Sequence, residues 1–253
     1  AYTKTTIKDV LSQANVINLV YNSGANIRKG YPHRSLFSIP FVGLNDEGIP
    51  TVINEKGEVT TTDINFQEYQ SLGFLKYEGP TEPTMNGGLN NTLRYKNWRL
   101  NVFVTYSFGN KIRLDQVFSS SYSDMSAMPK EFKNRWVMPG DEKVTTIPAI
   151  ASVRQYYNDT QLSYAYNAYN YSTARVADGG FIRLKDVSLT YDVPRTLLSK
   201  VGLSTASIKL DATNLCLLYA DDKLNGQDPE FVNSGGVATP LSKQFTLTVR
   251  LGL

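Results

Sequence analysis

The 253-residue chain is poor in the residues on which most metal and redox chemistry depends. It contains one cysteine, Cys216, and one histidine, His33. A lone cysteine excludes an internal disulfide framework and a cysteine-based zinc finger, and a lone histidine excludes a histidine-rich metal site. The sequence therefore predicts no bound metal and no cofactor.

Long apolar runs and a surplus of one charge are also missing. No uncharged apolar stretch approaches the roughly 18 residues of a membrane-spanning helix. The opening residues, AYTKTTIKDV, lack a basic region followed by an apolar one, so we expect no signal peptide. The 26 Lys and Arg against 23 Asp and Glu leave a net charge of only +3. Because the basic residues do not cluster into a stripe, we expect no nucleic-acid partner.

Catalytic groups are scarce. Nucleophilic catalysis needs a base beside its nucleophile, His33 is the only histidine, and there is no Gly-x-Ser-x-Gly motif. The acidic residues in 221–230 are of the type used in glycoside hydrolysis, but acidic residues in loops are usually solvated. The same stretch lacks the residue spacing of a calcium-binding loop. We predict that the chain is not an enzyme.

Strand patterns dominate what is present. In Trp98–Phe108, one parity is apolar throughout and the other carries mainly polar residues, a period of two that a helix cannot satisfy. Residues 89–95 alternate in the same way, and Lys96-Asn97 between the two segments predicts a tight hairpin turn. Together these segments predict a β-hairpin.

Further strands are predicted in the second half of the chain. The alternating segments cover residues 187–193, 208–213 and 243–253, and Pro194 and Gly202 bracket a short helical connection between the first two. A weaker candidate strand, NVINLVYNSG, covers residues 15–24. The total is about six strands of the length that crosses a bilayer, about 9–11 residues.

The connections between these strands alternate between short and long. Two are short, at residues 96–97 and 194–202, and three are long, at residues 25–85, 110–178 and 220–241. Membrane β-barrels have short periplasmic turns and long extracellular loops, whereas long irregular stretches are unusual in a compact soluble domain. The pattern favours an all-β transmembrane antiparallel barrel segment with long extracellular loops. A soluble all-β glycan-binding module remains the alternative, because its strands alternate too.

Strand parity assigns side chains to two faces of the predicted sheet. The apolar set is predicted to face lipid: Trp98, Leu100, Val102, Val104, Phe245, Leu247, Val249 and Leu251. The polar set is predicted to face the lumen: Arg99, Asn101, Thr105, Gln244, Thr246, Thr248 and Arg250. Aromatic residues at the ends of the apolar face are typical of an interfacial girdle.

Tyrosine is abundant, with 16 Tyr beside 11 Phe and 2 Trp, and it concentrates in residues 154–173. Aromatic platforms of this kind can stack on sugar rings or contact peptide, or they can pack a long loop against itself. Both readings stay open. The candidates for substrate contact are Tyr156, Tyr157, Tyr164, Tyr166, Tyr169 and Tyr171.

Five segments, in order along residues 31–253, resemble the SusC/RagA-like TonB-dependent outer-membrane transporters of Bacteroidetes. They are YPHRSLFSIPFVGLNDEGIP, GGLNNTLRYKNWRLNVFVTYSFGNKI, Arg135-Trp136 with Pro139–Glu142 and Ile147-Pro148, DGGFIRLKDVSLTYDVP, and Asn214-Leu215 with Gly226–Glu230. Each segment alone is a weak signal, and the order strengthens the resemblance.

The resemblance implies a barrel of about 22 strands, of which residues 1–253 would be the C-terminal portion with about the last six strands. We expect the plug and the TonB box of the family to lie outside this chain. The expected function is uptake of oligosaccharides or oligopeptides across the outer membrane of a Gram-negative bacterium. The expected partners are the N-terminal remainder of the same transporter, a SusD-like surface lipoprotein, the TonB system, outer-membrane lipid and the glycan or peptide substrate.

Overall fold

The computed structural model describes residues 1–10, 14–21, 27–118, 129–199, 202–232 and 242–252. Within these ranges the helices are α1 (Val16–Tyr21), α2 (Val153–Asn158), α3 (Leu162–Asn170) and α4 (Arg195–Leu198). The strands are β1 (Ser35–Ser38), β2 (Phe41–Leu44), β3 (Pro50–Ile53), β4 (Val59–Thr60), β5 (Lys76–Pro80), β6 (Met85–Tyr95), β7 (Trp98–Phe108), β8 (Lys111–Arg113), β9 (Val176–Asp178), β10 (Phe181–Asp192), β11 (Thr205–Tyr219) and β12 (Gln244–Gly252). No helix in the described ranges has the length and apolarity to span a membrane.

Five long strands form one antiparallel sheet in the order β12-β11-β10-β7-β6, which we call the main sheet. Each strand pairs with the long strands that precede and follow it in sequence. The alternation in Trp98–Phe108 predicts β7 with its observed bounds, and the predicted turn at Lys96-Asn97 joins Tyr95 to its cross-strand partner Trp98. The structure is therefore mainly β, as predicted.

The two ends of the main sheet differ in their connections. At one end, which we call the short-turn end, Lys96-Asn97 and the segment around α4 join the strands. The Asn97 side chain fixes the first turn to the neighbouring strand by donating to the carbonyl of Asp192 at 2.8 Å. The long connections leave from the opposite end. There the start of β6 and the start of β10 both pair with the end of β7.

The prediction of a strand at residues 15–24 is wrong where the structure describes it. Val16–Tyr21 is the helix α1, and residues 22–24 lie outside the described residues. Val16, Leu19 and Val20 are fully buried, and their spacing of three and four residues places them on one face of a helix. The helix packs beside β1 rather than joining the main sheet.

Helix α1 and the long connections pack against one another into a body that we call the loop layer, made of residues 14–21, 27–80, 109–118, 129–180 and 220–232. It has three buried apolar clusters, and each combines residues that are distant in sequence. One cluster joins Val52 to Ala168, the second joins Phe118 to Tyr169, and the third joins Ile112 to Leu224. The loop layer therefore has a core of its own.

Candidate functional site

The main sheet has two chemically different faces. Residues directly opposite each other in antiparallel strands point to the same side. Leu100 lies opposite Leu93 and Leu189, and the row continues through Leu210 to Leu247. The neighbouring rows place the whole predicted lipid-facing set on this apolar face and the whole predicted lumen-facing set on the other, polar face.

Two irregularities preserve this sorting across the sheet. The register shifts between Leu184 and Asp186 of β10, so that Leu184 lies opposite Val104 on the apolar face. Asn214 of β11 has a φ of 54° and lies in the stretch where the register with β10 also shifts. Such bulges insert an extra residue into one strand. On both sides of the bulge, apolar residues still lie on the apolar face. Simple alternation in the sequence did not reveal them.

The apolar face is exposed. Leu247 is 63% accessible, Leu93 61% and Leu210 56%. None of the three buried clusters of the described chain includes a residue of the main sheet. The exposed apolar rows run across all five strands of the main sheet. A large contiguous apolar surface of this kind is rare on soluble monomers and indicates contact with lipid or with another protein.

Aromatic side chains lie at both ends of the apolar face. Trp98 and Tyr191 pack at the short-turn end with ring centroids 4.6 Å apart, and Phe108 and Tyr219 lie 6.2 Å apart at the other end. At about 3.3 Å per residue, β7 spans roughly 33 Å. A strand of this length tilted by about 40° covers the roughly 25 Å apolar band of an outer-membrane barrel.

The polar face holds an open groove of about 480 Å³ near the short-turn end. Its lining is polar or charged throughout: Thr92, Arg94, Arg99, Asn101, Ser188, Thr190, Asp192, Ser207, Lys209 and Arg250. Arg99 pairs with Asp192 at 3.1 Å, and Thr92 donates to the Asn101 side chain at 2.8 Å. Two of the residues predicted to face the lumen from β7, Arg99 and Asn101, are brought together here with Arg250 of β12.

Arginine side chains connect the segments of the loop layer. Arg113 donates to the carbonyls of Phe37 at 2.6 Å and Ser172 at 2.8 Å, which ties β8 to two other segments. Burial lowers the pKa of Arg113 to about 10. Arg175 pairs with Glu131 at 2.7 Å and donates to the carbonyl of Asp115. The loop layer is therefore cross-linked by polar contacts as well as by its apolar clusters.

The predicted tyrosine candidates separate by burial. Tyr166, Tyr169 and Tyr171 are buried and contribute to the clusters of the loop layer, as the packing alternative predicts. Burial raises the pKa of Tyr169 to about 12. Tyr156 is half-buried against Tyr166, whereas Tyr157 and Tyr164 are exposed. Burial therefore favours loop packing for Tyr166 and Tyr169, and substrate contact by any of the six tyrosines stays a prediction.

Tyr164 lines a cavity of about 370 Å³ together with Ile17, Phe66, Ser163, Asn167 and Tyr171. The rings of Phe66 and Tyr164 lie 6.1 Å apart at an angle of 32°. We call this cavity the aromatic slot. It combines three aromatic rings with the Ser163 hydroxyl and the Asn167 amide, which is a composition suited to sugar rings or peptide groups. Phe66 comes from a different segment, so sequence spacing could not predict the slot.

The acidic candidates have structural roles. Asp228 is fully buried and bound by Arg183, which corrects its interpretation as a solvated loop residue. Asp221 accepts from the backbone N–H of Asp178 at 2.7 Å and from that of Lys223 at 2.9 Å. Within the described ranges no three His, Cys, Asp or Glu residues gather as a metal site would require. His33 is exposed on the loop layer.

The geometry defines an antiparallel meander with an exposed apolar face, a polar face and a structured loop layer at one end. No family model matches the sequence. The chain is 28% identical over 178 residues to TonB-dependent receptor P3 of Formosa agariphila, covering 70% of this chain and 15% of that protein. It is 30% identical over 168 residues to TonB-dependent receptor P26 of the same organism, covering 62% of this chain and 14% of that protein. The chain thus spans about one-seventh of the relatives it matches.

Solved structures show the same fold. The RagAB peptide importer in its 'open-open' state matches all of this chain with a TM-score of 0.66 and 21% identity, over 26% of its own chain. The RagAB peptide transporter matches 91% of this chain with a TM-score of 0.63 and 22% identity, over 24% of its own chain. The resemblance of the sequence to SusC/RagA-like TonB-dependent transporters is thereby confirmed.

Proposed function

We propose that the chain forms part of the wall and the outer loops of a transmembrane β-barrel in a TonB-dependent outer-membrane importer. The observation that carries this proposal is that the main sheet has an exposed apolar face on one side and a polar face on the other. A barrel wall needs this arrangement, because one side meets lipid and the other meets the lumen. The long-connection end with its loop layer would be extracellular, and the short-turn end periplasmic.

The same geometry supports the proposed partners. Among the described residues, β6 and β12 each pair with a main-sheet strand on one side only, and the outer side of β6 is bridged by Tyr2 at Met85 alone. Lipid does not tolerate unpaired strand edges, so we infer that strands of the same transporter outside residues 1–253 complete the barrel. Residues 1–253 would then be the C-terminal portion of one barrel domain. The transporter would lie in the outer membrane of a Gram-negative bacterium, and the TonB system would supply the energy for uptake.

The proposed substrates are oligosaccharides or oligopeptides, taken up with a SusD-like lipoprotein seated on the loop layer. The names of the RagAB structures describe a peptide transporter, which supports the peptide class. The aromatic slot, which opens on the loop layer, is the proposed contact for either substrate. The soluble glycan-binding alternative needs a second layer over the apolar face, and none of the described residues supplies one.

Adjacent residues of β12 provide the test. Leu247 lies on the apolar face and Thr246 on the polar face, and both are exposed. In the full-length protein, Leu247→Lys places a charge in lipid at a cost of about 2–4 kcal/mol if the site lies near the bilayer midplane, whereas Thr246→Lys meets water. We expect Leu247→Lys to reduce the folded, heat-modifiable form in outer-membrane fractions and Thr246→Lys to leave it unchanged. Equal tolerance of both substitutions would rule out a lipid-facing apolar face.

A further inference from the structure

The aromatic slot is built on the outward side of helix α3. The inward side of this helix is buried through four residues spaced by three and four positions: Leu162, Ala165, Tyr166 and Tyr169. The other side carries Ser163, Tyr164 and Asn167, which line the slot together with Phe66 and Ile17. The backbone N–H of Ile17 donates to the carbonyl of Phe66 at 2.9 Å, which holds Phe66 beside helix α1. Three separate segments therefore form one wall-to-wall site.

Two rings of the slot present their faces in similar directions. The planes of Phe66 and Tyr164 are inclined by only 32°, and Tyr164 is 45% exposed. The third ring, Tyr171, is buried, and its hydroxyl accepts a hydrogen bond from Gln116 at 2.6 Å, so Tyr171 contributes an apolar wall. Exposed aromatic faces stack on flat apolar surfaces, and the C–H face of a pyranose ring is a surface of this kind.

The polar groups beside the rings are neutral. None of the described residues that line the slot carries a charge. Asn167 is exposed, and its amide has no hydrogen-bond partner among the described residues, which leaves a carbonyl and two N–H donors available. The Ser163 hydroxyl donates to the carbonyl of Thr160 at 3.4 Å, so its oxygen is still an acceptor. An amide that donates and accepts matches two neighbouring sugar hydroxyls, because each hydroxyl does both.

A peptide finds fewer partners in the same slot. Extended peptides are commonly bound by backbone pairing with an exposed strand edge, whereas the slot is lined mainly from helices. Its backbone groups are already used, since the carbonyl of Asn167 accepts from the N–H of Tyr171 at 3.1 Å and the carbonyl of Phe66 accepts from Ile17. The likeness to the RagAB peptide importer, at 21–22% identity, concerns the fold. The lining therefore favours a sugar.

We propose that the aromatic slot binds a neutral pyranose residue of an oligosaccharide, stacked on Tyr164 and Phe66 and hydrogen-bonded to Asn167. This inference rests on the proposed function and deepens it, because it names neutral glycans as the substrate class. About 370 Å³ lies at the lower end of the range for small-ligand sites, so the slot holds a short stretch of the oligosaccharide. Because none of the contacts is ionic, binding should not change with salt concentration.

The test uses the full-length transporter in a detergent without a sugar headgroup. The protein is applied to an array of neutral gluco-, galacto-, manno- and xylo-oligosaccharides, acidic oligogalacturonates, and neutral and charged octapeptides. Isothermal titration calorimetry with the tightest neutral oligosaccharide then compares variants. Asn167→Leu should weaken binding by about fivefold through the lost amide hydrogen bonds. Phe66→Leu keeps apolar bulk but loses the ring, and should weaken binding by about threefold.

Asn158→Leu is the matched control, because Asn158 is an exposed amide at the end of helix α2 and does not line the slot. Its affinity should equal that of the unmodified protein. The inference is overturned if no neutral oligosaccharide binds, if acidic glycans or peptides bind more tightly, or if either slot variant binds as the control does. Failure of the proposed function looks different, because it appears as equal tolerance of Leu247→Lys and Thr246→Lys in outer-membrane fractions.

Discussion

Arg183 of β10 donates from one terminal nitrogen to both carboxylate oxygens of Asp228, at 2.6 Å each. Both side chains are buried, and Glu230 approaches the same nitrogen at 3.3 Å. The pair attaches the connection between β11 and β12 to the main sheet. A buried ion pair of this kind adds little net stability by itself, but removal of one partner leaves an uncompensated charge.

Asp228→Asn should therefore loosen the segment 220–232. The substitution leaves the buried Arg183 without its main counter-charge, at a cost of about 3–5 kcal/mol. Limited proteolysis of the folded transporter should show faster cleavage within this segment. The control is Glu230→Gln, whose side chain is 42% exposed and should change the cleavage rate much less. Similar rates in the two variants would contradict a special role for the buried pair.

A second prediction concerns two turns of the same design. Asn45 accepts side-chain hydrogen bonds from the backbone N–H of Glu47 and Ile49, and Asn54 does the same for Lys56 and Glu58. The fourth residue of each turn is a glycine with positive φ: Gly48 at 74° and Gly57 at 81°. The turns differ in one respect, because the ring of Trp136 lies against Gly48 and nothing lies near Gly57.

Gly48→Ala should destabilise the loop layer more than Gly57→Ala. Both substitutions place a β-carbon in the left-handed region, at about 1–2 kcal/mol each. Only Gly48→Ala also drives that carbon into the Trp136 ring, which adds about 1–3 kcal/mol. The midpoint of urea unfolding in detergent, followed by tryptophan fluorescence, measures the difference. Equal losses in the two variants would show that the ring moves aside without cost.

The contact between Gly48 and Trp136 also shows what the sequence could and could not predict. The segments 31–50 and 135–148 each resemble the family on their own, but their packing on each other is a contact between distant residues. The strand Trp98–Phe108 was predictable because its alternation is local and complete. Helix α1 was not, because its short apolar run fits a strand or a helix and its packing against β1 decides the outcome.

The candidate site follows the same division. Strand parity alone placed the two sets of side chains on the two faces of the main sheet, since the period of two is fixed by backbone geometry. The groove and the aromatic slot could not be predicted, because each joins residues from separate segments. Burial of Tyr169 between Phe41 and Phe118 is likewise a property of the assembled loop layer.

Acid should disturb the loop around Trp136 through Glu142. The pKa of this carboxylate is lowered by hydrogen bonds from its own backbone N–H, from the Trp136 indole at 3.2 Å and from the backbone N–H of Gly140 at 2.7 Å. A lowered pKa in the folded state means that the stabilisation is present above the ordinary value of 4.5 and is lost as the pH falls through the lowered value. Trp136 fluorescence should therefore change in a transition below pH 4.5.

The measurement needs a background of Trp98→Phe, because Trp98 and Trp136 are the two tryptophans of this chain. Full-length proteins with tryptophans elsewhere need the difference spectrum against Trp136→Phe. Glu142→Gln should remove the transition. Glu68→Gln should retain it, because Glu68 also has a lowered pKa but is bonded to the backbone of residues 69–71. An unchanged transition in Glu142→Gln would assign the acid effect to another carboxylate.

The final prediction separates ligand contact from loop packing among the tyrosines. Tyr164→Ala removes one of the three aromatic rings that line the aromatic slot, and Tyr164 is 45% exposed. Loss of one stacking contact on a sugar ring or peptide group should weaken substrate binding by about three- to tenfold. Because half of the side chain is already in water, the unfolding midpoint should change little.

Tyr157→Ala is the matched control. Tyr157 lies in the same tyrosine-rich segment and is 82% exposed, and its ring does not line the aromatic slot. Tyr169→Ala is the packing control, since the loss of a fully buried ring should lower stability by about 3–5 kcal/mol. If the aromatic slot contacts the substrate, Tyr164→Ala should bind the substrate oligomer more weakly, and Tyr157→Ala should bind it as the unmodified protein does. If Tyr157→Ala weakens binding equally, the effect belongs to the exposed surface in general and the aromatic slot is not the contact.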